Sequence, residues 1–151
     1  MATHLLTVLC TKASVDQSSN NLSLFDIVEE LSITVADKVP SAKDKVLIPV
    51  TMDVVVVTFR SDPSKPEMAR GRLLLLMPDK TKTLGAEFEI KLVDHQRMRN
   101  IVHMSALPVN EPGIYYFVVE FSQQGSNEWS EVYRLPVNIK LEAAKQPTAK
   151  H

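Results

Sequence analysis

Turn-forming residues interrupt this chain of 151 residues at short intervals and so limit the length of every regular element. Each interruption combines proline, glycine, asparagine, aspartate or serine, which fix φ, permit positive φ or hydrogen-bond to the backbone. The interruptions lie at residues 16–21, 39–41, 61–66, 78–80, 110–113 and 123–127. The segments between them have room for many short strands but for few helices of ordinary length.

Two segments alternate between apolar and polar side chains, which is the pattern of a half-buried strand. In residues 87–92 the apolar side chains on one face are Phe88, Ile90 and Leu92. In residues 133–141 they are Tyr133, Leu135, Val137, Ile139 and Leu141. We expect both sets to pack in a core. Pro136 lies on the polar face and has no N–H to donate, which predicts a sheet edge or a bulge there.

Two further segments are apolar on both faces. Residues 50–59 contain four consecutive valines from Val54, and a second run of four leucines begins at Leu73. Such runs are typical of strands covered on both sides, although a leucine run alone also fits a buried helix. Gly71 and Pro78 bound the leucine run and leave only about two helical turns, which is short for a helix. We therefore assign both runs to strands.

These patterns predict an all-β fold, an antiparallel two-sheet sandwich of about eight strands with an immunoglobulin-like or related Greek-key topology. The strands are expected at residues 3–12, 21–35, 46–59, 69–77, 83–93, 98–105, 113–122 and 129–141. Residues 24–31 also match a helical spacing, but we interpret them as strand with a bulge because the alternation continues to Val35. We expect a single domain over residues 1–142 and a flexible C-terminal tail over residues 143–151.

The last two strands are predicted to form a hairpin. Pro112 and Gly113 lead into a strand of alternating aromatic side chains, and the turn at 123–127 leads to Trp129. In immunoglobulin-like and related sandwiches, a strand of this kind commonly precedes the final strand. Cys10 is the single cysteine, so the chain lacks the cysteine pair of an antibody-type domain.

Composition argues against several classes of partner. The chain has 17 Lys+Arg against 18 Asp+Glu, so no overall positive field favours nucleic acid or an anionic membrane. The basic stretches 80–82 and 96–100 lack the interleaved aromatic side chains that stack on bases, and we interpret them as solvated loops. The apolar runs are far shorter than the roughly 20 residues of a membrane-spanning helix. An unpaired cysteine and an N-terminus without a basic signal region predict a cytoplasmic protein.

The first third of the chain resembles a known family. The apolar strand 5–10, LLTVLC, leads through a polar turn into residues 22–27, LSLFDI. This is similar to an uncharacterised family of short bacterial all-β proteins, in which a Cys-containing first strand precedes a segment of the type K-L-x-L-x-G-I-F-D-x-I. The resemblance is strongest over residues 5–31 and looser through 141, and this chain lacks the glycine before Phe25. It implies a bacterial β-sandwich and supplies no catalytic mechanism.

No motif in the sequence has the spacing of a catalytic, cofactor or metal site. The four histidines lack zinc-ligand spacing, and the four glycines are scattered at turns rather than clustered around a phosphate. Four single aspartates lie in or beside turns, where we expect turn chemistry rather than a calcium cage: Asp16, Asp62, Asp79 and Asp94. Cys10 lies in an apolar strand and is expected to act as a small hydrophobic residue. We therefore predict a non-enzymatic protein without a cofactor.

The strand 113–122 carries large apolar side chains on both faces. If its aromatic face packs in the core, the outward side chains form a possible interface, consisting of Ile114, Tyr116 and Val118. These residues, like the valine run, must be covered by a loop, by a curled neighbouring strand or by another chain. The last case implies a homodimer or another protein partner.

The sequence thus favours a non-catalytic protein-interaction or accessory module. The alternative is a small-molecule or carbohydrate-binding domain. Its ligand loop would use an aromatic side chain beside an amide, and the candidate residues are Asn127, Trp129 and Tyr133.

Overall fold

The computed structural model describes residues 1–36, 39–41 and 43–144, and these residues form nine strands in two packed sheets without a helix. The strands are β1 (Ala2–Val15), β2 (Leu22–Ile27), β3 (Glu30–Val35), β4 (Val46–Arg60), β5 (Glu67–Leu76), β6 (Lys82–Leu92), β7 (Arg97–Val109), β8 (Gly113–Gln123) and β9 (Ser130–Ala143). The prediction of an all-β two-sheet sandwich is confirmed. Seven of the predicted strands correspond to β1 and to β4 through β9, with ends that differ by a few residues.

The four-stranded sheet has the order β2-β1-β4-β7, and the five-stranded sheet has the order β3-β9-β8-β5-β6. The chain crosses between the sheets after β2, β3, β4, β6 and β7, as in a Greek-key sandwich. Every pairing is antiparallel except that of β3 with β9, which is parallel. β3, which adds to the edge of β9, is therefore the exception to the predicted antiparallel sandwich.

Residues 21–35 form two strands in different sheets, so the prediction of one bulged strand is wrong. β2 pairs with β1, whereas β3 pairs with β9. Asp26 lies where the chain leaves one sheet for the other, and its φ is 50°. Just after it, the Val28 amide donates a hydrogen bond to the Leu9 carbonyl (2.8 Å). A residue in the left-handed region turns the chain sharply. The alternation gives no signal of this turn because it resumes on both sides.

The hydrophobic core lies between the two sheets. The residues of the two predicted apolar faces that are completely buried there are Ile90, Leu92, Val137 and Ile139. Phe88 and Leu135 are half-buried against the same core. Tyr133 is 38% exposed, so its predicted burial is wrong. The reason is that β3 pairs only with residues 138–143 of β9, which leaves the first half of β9, including Pro136, as a sheet edge.

Tyr115, near the start of β8, fixes the corner between β7 and β8. Its hydroxyl donates to the Glu111 carbonyl (2.7 Å) and accepts a hydrogen bond from the Asn110 amide (3.0 Å). Burial raises the pKa of this hydroxyl. A tyrosine that bonds back to the preceding corner is a hallmark of immunoglobulin-like sandwiches. Together with the strand order, it supports the immunoglobulin-like topology.

The last strand extends slightly beyond its predicted end. β9 continues to Ala143, and the Ala144 amide donates to the Val35 carbonyl (2.8 Å). The first two residues of the predicted tail 143–151 therefore continue the sheet, and the rest lie outside the described residues. Within the described part of the chain, no helix has the length and apolar character needed to cross a membrane.

Candidate functional site

The outer face of the four-stranded sheet is closed by the chain itself. Val55 and Val57 point outward from β4 and form a buried cluster with Cys10. Leu22 and Leu24 of β2 pack against this cluster. Because Leu22 and Leu24 belong to β2, the edge strand of the same sheet, the valine run is covered within the chain, which was one of the alternatives that the sequence left open.

The tip of the β1–β2 hairpin is tied across this face. Arg99 Nη2, on β7 at the far edge of the sheet, donates to the Asn20 carbonyl (2.7 Å). Asp16 Oδ1 accepts the amides of Ser18 (2.9 Å) and Ser19 (2.8 Å), and these bonds lower the pKa of Asp16 to about 2. The basic stretch 96–100 is therefore not a solvated loop as predicted, since most of it belongs to β7.

One row of paired residues crosses the same sheet. It consists of Cys10 on β1, Asp53 on β4 and His103 on β7. Asp53 lies between the other two: its Oδ1 is 2.5 Å from His103 Nδ1, and its Oδ2 accepts the Ala13 amide (2.8 Å). Burial and the nearby Asp53 carboxylate raise the pKa of the Cys10 thiol. A thiol nucleophile is activated by a lowered pKa or by an adjacent base, whereas the Cys10 thiol donates to the Asp53 backbone carbonyl (3.6 Å) and Asp53 separates it from His103. This row instead anchors β1 at the point where β1 leaves β4.

The outer face of the five-stranded sheet carries a second apolar cluster. It consists of Leu74, Leu76, Tyr116 and Val118, which we name the apolar stripe. Leu74 pairs with Val118 and Leu76 with Tyr116, so the stripe crosses β5 and β8. Among the described residues, the apolar side chains of this cluster come only from these two strands. Leu74 and Leu76 are each only 7% exposed, so the stripe is largely enclosed by neighbouring side chains, and in the described part of the chain no hairpin contributes to its apolar cluster.

The three predicted interface residues differ in exposure. Ile114 is 52% exposed, Tyr116 is half-buried and Val118 is completely buried. Val118 points outward as predicted, but Leu74 and Arg134 occupy the paired positions on either side, and their larger side chains enclose it. The accessible apolar surface is therefore formed by Ile114 and part of Tyr116.

Leu84 adds to this surface on the other side of the stripe. It pairs with Leu74 and is 54% exposed. Arg134 borders the stripe on β9, where its Nη2 donates to Glu131 Oε1 (2.8 Å) and its guanidinium lies 5.3 Å from the centre of the Tyr116 ring. The ion pair with Glu131 raises the pKa of Arg134, so this charge is permanent at all physiological pH values.

The other end of the outer face of the five-stranded sheet is charged. Trp129 lies there with the Arg72 guanidinium 4.3 Å and the Arg70 guanidinium 5.1 Å from its ring centre. Arg72 Nε also donates to Glu120 Oε2 (2.6 Å), and both side chains of this ion pair are largely buried. The outer face thus has an apolar half and a half that carries charges of both signs.

The structure separates the three predicted ligand residues. Trp129 lies on the outer face against Arg72, whereas Tyr133 stacks on His4 of β1 at the opening between the sheets (ring centres 4.7 Å apart, planes at 15°). Burial lowers the pKa of His4. Asn127 is exposed in the loop before Trp129. Trp129 and Tyr133 lie on opposite sides of the sheet and cannot stack on one ligand.

Aspartates in two further turns have the predicted turn chemistry. Asp62 Oδ1 accepts the Ser64 hydroxyl (2.6 Å) and the Ser64 amide (2.9 Å), and Asp79 Oδ1 accepts the Thr81 amide (3.0 Å). These bonds lower the pKa of each carboxyl. Within residues 1–36, 39–41 and 43–144, no three His, Cys, Asp or Glu side chains are grouped in a way that could hold a metal ion.

Sequence reasoning missed the polar partners on the outer face of the five-stranded sheet. Three charged side chains point outward there because they alternate with core side chains along their strands: Arg72, Glu120 and Arg134. The sequence shows this alternation. Their mutual contacts depend on which strands are neighbours, and the sequence left that order open.

No family model matches the sequence, and the search of curated proteins found no relative. Among solved structures, a β-glucosidase from Listeria innocua in complex with gluconolactone is 13% identical, with a TM-score of 0.38. The match covers 90% of this chain and 16% of the β-glucosidase chain. The N-terminal domain of PorA is 12% identical with a TM-score of 0.26, and the match covers 90% of this chain and 97% of that domain.

Proposed function

We propose that this chain is a non-catalytic protein-interaction module that self-associates through the outer face of its five-stranded sheet. The observation that carries the proposal is the group of exposed apolar side chains on the outer face of the five-stranded sheet. Ile114 is 52% exposed and Leu84 is 54% exposed at the margins of the apolar stripe, and part of Tyr116 is accessible as well. Exposed apolar side chains grouped on one sheet face are typical of an interaction site.

The size of this face is sufficient for a dimer. Five strands about 4.8 Å apart and a central strand of 11 residues span roughly 19 by 36 Å, which is about 700 Å² of sheet surface. A standard specific interface buries about 800 Å² per partner. The whole face, including its charged end, therefore matches the area that a stable dimer needs.

The charges on the face support a second copy of the same chain as the partner. In a two-fold interface the same surface meets itself, so each charge must find an opposite charge on that surface. The face supplies both signs, with Arg72 beside Glu120 and Arg134 beside Glu131. The formal net charge of −1 adds no long-range repulsion between copies.

The proposal includes a cytoplasmic location and no catalysis. A free and buried Cys10 suits a reducing compartment. The raised pKa of its thiol does not suit nucleophilic chemistry. The contact of Arg72 with the Trp129 ring weighs against the alternative of a carbohydrate-binding loop, because the arginine occupies an aromatic face on which a sugar would stack.

The experiment is a mass measurement by sedimentation velocity and light scattering at high micromolar concentration. We expect the wild type to have about twice the chain mass of 16.9 kDa, and Ile114→Glu to have the mass of one chain, because a two-fold interface would bury the new charge in each copy. Ile114 is preferred to Tyr116 because a glutamate at 116 could pair with Arg134.

The matched control is Ile27→Glu, since Ile27 is 61% exposed in β2 of the other sheet. This variant should keep the dimer mass, and both variants should keep the wild-type circular dichroism spectrum. A wild type that remains a single chain at high micromolar concentration contradicts the proposal, and so does an Ile114→Glu variant that remains a dimer.

A further inference from the structure

A second surface lies where the edges of β6 and β7 face each other across the two sheets. At one end the edges are joined by Asn100 Nδ2, which donates to the Glu89 carbonyl (3.2 Å). At the other end Lys45 Nζ, just before β4, donates to Thr83 Oγ1 (3.4 Å). Between these ties the sheets part and leave a cleft of about 330 Å³.

The cleft reaches the hydrophobic core. Its lining includes the core side chains Leu73, Leu75, Leu107 and Phe117. A cavity with such a lining offers few hydrogen-bond partners to water and favours apolar groups. The cleft is therefore suited to side chains of an incoming segment.

The edge of β7 beside the cleft lacks the usual protection against strand pairing. Natural sheet edges carry charged side chains, proline or bulges that prevent such pairing. β7 has Arg97 and Arg99 at one end and Pro108 at the other, whereas residues 101–107 contain no Lys, Arg, Asp, Glu or Pro. Residues 83–86 of β6, across the cleft, are uncharged as well.

The backbone of this edge is available for pairing. In the described part of the chain, β7 forms a strand pair only with β4, on its other side. Alternate N–H and C=O groups of an edge strand point away from its sheet. A segment that ran along residues 101–107 would therefore find both a hydrogen-bonding template and an apolar cleft beneath it.

One end of the cleft is cationic. The Lys45 amine lies there on the Thr83 hydroxyl and, among the described residues, has no carboxylate within 4.0 Å. Lys82 begins β6 at the same end. A ligand with a carboxylate at this position would complement both charges.

We propose that the cleft binds an extended peptide segment of a partner protein by strand addition to β7. The segment pairs its backbone with residues 101–107, directs every second side chain into the cleft and carries a carboxylate at the Lys45 end. Strand addition obtains affinity from main-chain hydrogen bonds and specificity from pockets for alternate side chains. Seven residues of edge extend over about 20 Å, so about three apolar side chains enter the cleft. The cleft shares Leu74 and Leu84 with the border of the self-association surface, but this proposal does not depend on self-association.

The test uses a phage-displayed library of random nine-residue peptides, selected on the purified full chain. We expect the enriched peptides to alternate apolar side chains and to carry Asp or Glu at one end. With the strongest synthetic peptide bound, the amides of residues 101–107 should exchange more slowly with deuterium. The Lys45→Gln variant should weaken this peptide and leave its uncharged amide counterpart unaffected.

Ala106 provides the variant that closes the site. It lines the mouth of the cleft and is exposed, so Ala106→Phe places a ring where the added strand would lie along β7, and we expect binding at least about tenfold weaker. The matched control is Ala143→Phe, since Ala143 is an exposed alanine in β9 and should tolerate the ring without loss of binding. Both variants are checked for an unchanged thermal unfolding midpoint before binding is compared.

Three outcomes overturn the proposal. The first is a selection that enriches no peptide over an empty surface. The second is equal binding of the selected peptide to wild type and Ala106→Phe. The third is loss of binding in Ile114→Glu with retention in Ala106→Phe, which would place the peptide on the apolar stripe.

Discussion

Gly71 is the position at which the backbone of β5 comes nearest to an aromatic ring. A Cβ at this residue would lie 2.1 Å from Phe88 Cε2, which is far inside van der Waals contact. Gly71 and Phe88 pair across β5 and β6, and the Phe88 ring covers the glycine. A ring over a strand glycine compensates for the missing side chain. In the sequence Gly71 marks only the start of an apolar run, so its packing role becomes visible through the partner strand.

The substitution Gly71→Ala tests this packing. We expect a loss of about 1–3 kcal/mol in the free energy of unfolding, because the added methyl group forces the Phe88 ring out of its place. Urea denaturation followed by tryptophan fluorescence measures the change. The double variant Gly71→Ala, Phe88→Ala should lose less than the sum of the two single losses, since removal of the ring makes room for the methyl group. A Gly71→Ala protein within about 0.5 kcal/mol of wild type contradicts the expected clash.

The β2–β3 segment shows how an element can change sheets within a few residues. Asp26 adopts a φ of 50°, and its Oδ2 accepts a hydrogen bond from Thr11 Oγ1 (3.3 Å). Beyond this turn, the Asn138 amide donates to the Glu29 carbonyl (3.2 Å), which begins the attachment of β3 to β9. The turn thus lets one short segment close one sheet and extend the other.

Substitutions at Asp26 should separate backbone strain from side-chain contacts. Asp26→Gly removes the Cβ that disfavours the left-handed region, so the free energy of unfolding should stay within about 1 kcal/mol of wild type or rise. Asp26→Val should lose about 1–2 kcal/mol, because a β-branched residue is poorly tolerated there. Denaturant unfolding of both variants measures the difference. Equal stability of the valine and glycine variants would show that this backbone conformation is not required.

At the scale of the whole molecule, the two sheets differ in how their outer faces and edges are completed. The hairpin of β1 and β2 closes one outer face, and Tyr115 fixes one corner. The other outer face keeps Ile114 and Leu84 exposed, and the edges of β6 and β7 leave a cleft between them. The two proposed binding surfaces are therefore an outer sheet face and a pair of sheet edges that the chain leaves accessible.

The stacked pair of His4 and Tyr133 joins the two sheets and should make stability depend on pH. Burial lowers the pKa of His4 below its unfolded value of 6.5. The unfolded chain therefore binds the proton first, so stability is complete above pH 6.5 and falls as the pH drops toward the lower folded pKa. We expect the free energy of unfolding to decrease from pH 7.5 to pH 5.5, with His4 as one contributor.

The variant His4→Phe isolates this contribution. A phenyl ring can keep the stack on Tyr133 but cannot bind a proton, so the difference in unfolding free energy between wild type and variant should shrink or reverse as the pH falls. Because the other titrating groups are shared, the difference reports His4 alone. A difference that is constant across this pH range would rule out the expected linkage.

The sequence predicted the strands and their inward faces because both depend on neighbouring residues. The strands were predicted from the alternation around Ile90 and Val137 and from the apolar runs at Val54 and Leu73. A strand with apolar side chains on one face can bury only that face, so the alternation also predicted which side chains point inward. Tyr116 and Ile114 were placed on the outer face by the same parity argument, and the structure agrees on their direction.

The tertiary structure decided which strands are neighbours, and the remaining features follow from that order. The enclosure of Val118, the separation of Trp129 from Tyr133 and the row of Cys10, Asp53 and His103 all depend on contacts between residues distant in the chain. Side-chain parity is a local property of an extended backbone, so it can be read from consecutive residues. Strand order is instead set by how several elements bury their apolar faces together, and no single segment encodes it.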